Sequence, residues 1–260
     1  MDIKLDGRAA VVTGASKGLG LAIATRMAGS GADVALLARR ADVLEAAREA
    51  VGATARGRVL AVTCDVSSAK EITRAYGEIM GGLGRVDILV NNAGISQTGA
   101  FTTITDEVWH ADLDLKLFAA IRLARLVWPQ MAERRWGRII NVLNIGAKAP
   151  KAGSAPTSVS RAAGMALTKA LAGEGAAHNI LVNSLHVGLI ESDQWVRRHA
   201  QKQTNQSYDD FLAEMGKGIP MGRVGTAEEF ANIACFLASD AASYVTGTAI
   251  NVDGNLSPVM

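Results

Sequence analysis

Thr13-Gly14-Ala15-Ser16-Lys17-Gly18-Leu19-Gly20 lies between a strand-like run at 8–12 and a helical pattern at 19–28. The three glycines have separate tasks in such a turn. Gly14 permits a tight reversal, Gly18 lets a backbone approach a pyrophosphate, and Gly20 lets helix and strand pack closely. The helix that follows offers backbone amides, beginning at Ser16, and the positive end of its dipole to phosphate oxygens. Three glycines alone are a weak sign. Placed between a first strand and a first helix, they read as a dinucleotide-binding turn.

Outward from this turn the alternation repeats. Strand-like runs fall at 33–37, 59–63, 87–91, 138–143, 180–186 and 249–252. Helical patterns fall at 41–51, 69–80, 106–133 and 157–177, with Asp106 placed to cap the third of these. Strands alternating with helices imply right-handed βαβ units. The predicted fold is therefore α/β: a single-domain Rossmann-type doubly wound sheet of about seven parallel strands with helices on both faces, spanning 1–260. One segment breaks the rhythm. Residues 191–218 are polar, with Gln194, Gln201, Gln203 and Asn205 among them. An insert beyond a strand end reads as a substrate lid or as a surface excursion.

Composition bounds the function. The 260 residues are 49% apolar and 20% charged, with 5% aromatics, which suits an aliphatic core between parallel strands and helices. A net charge of +2 gives no ground for nucleic acid or an anionic membrane as partner. No apolar run approaches a membrane span, and the N-terminus carries charges where a signal peptide needs an apolar stretch. The expected location is cytoplasmic. Cys64 and Cys235 have no metal or disulfide spacing, so no metal is expected and both read as small buried thiols.

The end of the second strand bears on the cofactor. NAD selectivity uses an acidic residue there, whereas this chain has Leu37-Ala38-Arg39-Arg40. Arg39 can hold a 2′-phosphate by charge-assisted hydrogen bonds, with Lys17 as a second cation, so NADP(H) is favoured over NAD(H). The alternative is a solvated arginine pair.

With these residues placed, the chain resembles the short-chain dehydrogenase/reductase family over nearly its whole length. The resemblance runs through Thr13 to Gly20, Asp65-Val66, Asn91-Asn92-Ala93-Gly94, Asn183 to Gly188, Ser243 to Gly247 and Val252-Asp253-Gly254. It implies that Asp65 and Val66 lie near adenine, that Asn92, Ala93 and Gly94 lie along the cofactor, and that Gly188 to Ser192, including Ile190, approach the nicotinamide. It also implies a homotetramer and a small-molecule substrate.

The family's chemistry uses a Tyr-x-x-x-Lys pair on one helix, a serine 13 residues before the tyrosine, and an asparagine on an earlier helix. Alignment of Thr157-Ser158-Val159-Ser160-Arg161 puts Thr157 at the tyrosine and Arg161 at the lysine. Asn144 then falls at the serine and Lys116 at the asparagine, so all four positions differ. A threonine hydroxyl is a far weaker acid than a phenol of pKa about 10. Arg161 keeps a positive charge and can fork onto ribose or phosphate. Asn144 can donate to a carbonyl or oxyanion. His186, near the end of the sixth strand, is a candidate replacement acid, as are Lys116, Lys148 and Lys151. For His186 the alternative is a satisfied strand-end histidine.

Three functions fit. The first is an NADP(H)-dependent oxidoreductase with an altered proton donor. The second is a catalytically silent subunit that binds cofactor or a related active chain. The third is a lyase or isomerase that stabilises an enolate with Lys116, Arg161 and Asn144.

Overall fold

A computed structural model describes residues 3–201 and 206–260. Seven strands form one parallel sheet: β1 (Ala9–Thr13), β2 (Asp33–Ala38), β3 (Val59–Thr63), β4 (Ile88–Asn91), β5 (Gly137–Asn144), β6 (Ile180–Val187) and β7 (Ala249–Val252). Their order is β3-β2-β1-β4-β5-β6-β7. The order reverses direction between β1 and β4, and at that switch point loops diverge and leave a crevice above the strand ends. In register, Val11 lies between Ala35 of β2 and Leu89 of β4.

Alternation along β1 builds two cores. Ala10 and Val12 face one layer with Ile23, Met27 and Phe230, while Ala9 and Val11 face the other with Ile72, Leu123 and Val127. The first layer is covered by α1 (Gly18–Gly29), α2 (Ala41–Gly52) and, later in the chain, Ala227–Ala238. The second is covered by α3 (Ala69–Leu83) and by α5, defined below. Both cysteines are buried and free. Burial pushes the Cys64 thiol up to about 11, with the nearby Glu71 charge adding to the effect.

The pattern at 106–133 is not one helix. It is α4 (Asp106–Leu113), one wider π-helical turn (Asp114–Phe118) and α5 (Ala119–Arg134). Thr105, not Asp106, precedes α4 as its cap residue, and its side chain makes no capping bond. Asp106 stands in the first turn, where its charge favours the helix dipole. α6 (Thr157–Gly175) packs against β5 and β6. A buried polar ladder helps fix its position: Asn91 Nδ2 donates to Asn141 Oδ1 at 2.9 Å, and Asn141 Nδ2 to Thr168 Oγ1 at 2.9 Å.

After β6 the chain forms α7 (Asp193–Gln201), α8 (Tyr208–Gly216) and α9 (Ala227–Ala238). The rings of His199, Tyr208 and Phe211 pack together and join α7 to α8. Residues 202–205 of the 191–218 insert, and the side chain of Gln194, lie outside the described residues. Among the described residues no helix is long and apolar enough to cross a membrane.

Candidate active site

A cleft of about 560 Å³ opens over the ends of β1, β4, β5 and β6. One end is the glycine turn. Gly14 has φ +65° and Gly18 φ +54°, conformations that a side chain disfavours. A Cβ on Gly20 would lie 2.3 Å from the Gly14 carbonyl oxygen and 2.5 Å from Asn92 Nδ2. The helix start therefore approaches the turn as closely as a bare backbone allows. No side chain caps α1 and no acid sits in its first turn, so its N–H groups suit an anion. The turn is clamped from β4. Thr13 Oγ1 accepts from the backbone N–H groups of Asn92 and Ala93, each at 2.9 Å, and Asn92 Nδ2 donates to the Thr13 carbonyl at 2.9 Å. This open cradle fits the pyrophosphate of a dinucleotide.

The other end of the cleft is polar and cationic. Arg161, on the second turn of α6, donates from Nη1 to the Val142 carbonyl at 2.8 Å, and a Cβ on Gly94 would sit 2.3 Å from its Nη2. Burial pulls Arg161 down to about 10, with the Asp112 charge opposing. Asn144 closes the end of β5. Its Oδ1 is buried without a partner, while its Nδ2 makes no bond among the described residues.

Behind that wall lies a buried ion pair. Lys116 Nζ contacts Asp112 Oδ1 and donates to Thr157 Oγ1 at 2.8 Å. Ser160 Oγ donates to the second Asp112 oxygen at 2.6 Å. Burial draws Lys116 down to about 8, with the Asp112 bond opposing and the Arg161 charge reinforcing the shift. Thr157 Oγ1 also accepts from the Gln97 N–H at 2.9 Å and donates to the Gln97 carbonyl at 2.7 Å. One donor and two acceptors exhaust a hydroxyl, so Thr157 is a clasp between α6 and the 95–98 segment.

Comparison with known proteins fits this geometry. A family model described as enoyl-(acyl carrier protein) reductase matches residues 14–257. The 3-oxoacyl-(acyl-carrier-protein) reductase of Escherichia coli (strain K12) is 35% identical over 254 residues, covering 98% of this chain and 99% of the relative. The acetoacetyl-CoA reductase of Shinella zoogloeoides is 35% identical, covering 95% and 97%. The chain belongs to the short-chain dehydrogenase/reductase family. Among solved structures, L-sorbose reductase from Gluconobacter frateurii, complexed with NADPH and L-sorbose, superposes with a TM-score of 0.95 at 35% identity over 100% of both chains. Actinorhodin polyketide ketoreductase with NADPH superposes at 0.89 with 32% identity, covering 97% of this chain and 98% of that one.

This member of the short-chain dehydrogenase/reductase family brings together most of the residues singled out from sequence. Gly14, Lys17, Gly18, Leu19 and Gly20 line the cleft with Asn92, Ala93, Gly94, Asn144, Thr157 and Arg161. Ser16 is in the turn but does not line it. Arg39 and Arg40 stand exposed just past β2, and neither makes an ion pair among the described residues. Asp65 lies past β3, with Oδ1 accepting from the Ser67 N–H at 3.0 Å and its hydroxyl at 2.7 Å, and Val66 is buried in the core.

Other residues are placed elsewhere. The Gly188 backbone pairs with β7, and a Cβ there would lie 2.5 Å from Asp253 Cβ. Ile190 is buried in the core and bridges to Gly225, so Val187 and Ser192 line the cleft from this segment. Lys116 does not line the cleft; it stands behind Thr157 and Gly94. His186 is fully buried, with Nε2 3.0 Å from Ser184 Oγ and Nδ1 3.1 Å from the Asn144 carbonyl. Burial pulls its pKa down to about 4, and the Lys148 and Arg161 charges push the same way. A neutral, doubly bonded imidazole away from the cleft has no path to a substrate oxygen. Lys148 straps the loop after β5 to β7 through the Ala249 carbonyl at 2.6 Å and Asn251 Oδ1 at 2.7 Å, while Lys151 is exposed.

Sequence reasoning missed Asp112 and Ser160. The signal for Asp112 was present: Asp112 and Lys116 stand four apart on one helical pattern, where side chains meet. Among the described residues no group of His, Cys, Asp and Glu is placed to hold a metal.

Proposed function

We propose that the chain is an NADP(H)-dependent oxidoreductase of the short-chain dehydrogenase/reductase type, acting on a carbonyl or hydroxyl substrate through a non-standard active site. The observation that carries this is the continuous cleft from the uncapped glycine turn to Asn144 and Arg161, with Arg39 exposed just past β2 and in no ion pair among the described residues. Several similar structures hold NADPH, which supports the same cofactor here. When bound, NADPH supplies a hydride to the carbonyl carbon.

The residues of this chain divide the remaining work. The amides from Ser16 to Gly20, with Lys17, receive the pyrophosphate. Arg39 and Arg40 receive the 2′-phosphate. Asp65 and Val66 border the adenine, and Asn92, Ala93 and Gly94 shape the wall along the nucleotide, with Gly188 and Ile190 supporting Val187 and Ser192 from behind. Asn144, Thr157, Arg161 and Lys116 occupy the family's four catalytic positions. Asn144 Nδ2 donates to the substrate oxygen, and Arg161 stabilises the negative charge that develops there. Thr157 and Lys116 hold the wall. The proton for the product oxygen comes from cleft water, because the Thr157 hydroxyl is committed and His186 is sealed away. Residues 191–218 serve as a lid: Ser192, Arg198 and Gln201 already line the cleft. The chain assembles as a homotetramer, for which the outer edge of β7 is available.

The saturated Thr157 hydroxyl favours a second reading, a subunit that binds NADPH without turnover. One experiment separates the two. NADPH and NADH are titrated by thermal shift, and carbonyl compounds are then incubated with NADPH deuterated at C4. The expected result is NADPH binding about tenfold tighter than NADH, lost in Arg39→Ala, with deuterium on the product carbon. Binding without deuterium transfer establishes the second reading. No shift with either dinucleotide at millimolar concentration overturns both.

A further inference from the structure

We infer that the substrate carries a carboxylate next to the reacting carbon, as in a 2-oxo acid and its 2-hydroxy counterpart, and that Arg161 holds that carboxylate. The inference rests on the proposed function in one respect: the reacting carbon must lie in this cleft.

Arg161 is the unusual group. Its guanidinium has five N–H donors, and one hydrogen bond, to the Val142 carbonyl, is all it makes among the described residues. None of its nitrogens is a buried atom lacking a partner, so the rest of the fork opens to the cleft. Among the described residues no carboxylate forms an ion pair with it. Asp112, whose charge acts on it, is held by Lys116 and Ser160. Among the described residues the cleft lining contains Lys17, Arg161 and Arg198 and no Asp or Glu. Arg198 comes from α7, with its guanidinium 4.7 Å from the Trp195 ring.

Lys17 lies at the pyrophosphate end, so its charge is matched by the dinucleotide. Arg161 lies at the reacting end, where an ordinary ketone brings no charge. A desolvated guanidinium is best matched by a planar anion that takes two parallel N–H···O bonds. The spacing fits. Arg161 is pinned to the Val142 carbonyl, and Asn144 lies two residues further along β5, about 7 Å along the strand backbone. A carboxylate on the arginine then leaves the adjacent oxo group within reach of Asn144 Nδ2.

The test uses the full chain saturated with NADP+ and isothermal titration calorimetry. Pyruvate, 2-oxobutyrate and phenylglyoxylate are each titrated beside their primary amides. The expected result is at least a tenfold preference for acid over amide in one pair or more. That preference falls below threefold in Arg161→Gln and is intermediate in Arg161→Lys, which keeps charge and loses the fork. NADP+ affinity changes less than threefold in either variant. Equal affinity for acid and amide, or no binding of any acid at 50 mM, overturns the inference. So does a tenfold loss of NADP+ affinity in Arg161→Gln with the acid preference intact, which assigns the guanidinium to the nucleotide ribose. Failure of the wild type to bind NADP+ sinks the cofactor reading instead, and the acid–amide comparison without nucleotide still decides the role of Arg161.

Discussion

Replacing Asp112 with asparagine removes one charge from the buried pair and keeps its shape. Asp112 is 1% exposed and Lys116 6% exposed, so the remaining ammonium has no water to turn to. It sheds its proton instead. In the wild type Lys116 titrates at about 8, so at pH 7 it is mostly charged and stabilised by Asp112. In Asp112→Asn that opposing bond and charge are lost, and its pKa is expected to fall to about 7 or less, since an opposite charge at this range is worth roughly 1–3 pH units. Each pH unit between folded and unfolded pKa corresponds to about 1.4 kcal/mol.

The sign follows from proton counts. A lysine whose folded pKa is depressed binds fewer protons folded than unfolded, so stability rises with pH in that window. For the wild type the rise begins near pH 8. For the variant it has already begun at pH 7. The gap between the two chains must therefore shift in the variant's favour by about 1.4 kcal/mol between pH 7 and pH 9. Urea unfolding at 25 °C and both pH values, with NADP(H) absent, measures it. A gap that stays constant within about 0.5 kcal/mol would refute the assignment of Lys116 as the titrating partner of Asp112.

Two further substitutions test the clamps. Gly20→Ala places a methyl carbon 2.3 Å from the Gly14 oxygen and is expected to abolish NADPH binding and destabilise the chain by about 1–3 kcal/mol, read by thermal shift with and without dinucleotide. Thr157→Val removes the hydroxyl shared by Lys116 and Gln97 and is expected to cost about 1–3 kcal/mol in urea unfolding, with Thr157→Ser restoring most of it.

The strands and the glycine turn were legible because they depend on local pattern. The strands predicted at 59–63 and 249–252 match β3 and β7 to the residue, β2, β4 and β6 differ by one at a single end, and β1 and β5 differ by one at each end. Helix 106–133 misled because periodicity at this length cannot reveal one inserted residue per turn, and the π-helical turn falls on Lys116 itself. The cleft was legible in outline, since its residues follow strand ends. The wall behind it was not. Gln97 and Thr157 are sixty positions apart, and nothing local marks their bond. His186 shows the same limit: its side chain bonds to Ser184 and to the Asn144 backbone, and only tertiary placement shows that both ring nitrogens are occupied.

The clasp at Thr157 has a consequence for how this chain can change over generations. Its single oxygen serves an ammonium, an amide and a carbonyl at once. A bulkier residue arriving alone at that position would strand all three, so any larger side chain there costs stability unless Lys116 and the 95–98 segment change with it. Position 157 is thereby coupled to its neighbours: a larger side chain is accommodated by coordinated substitutions rather than by one.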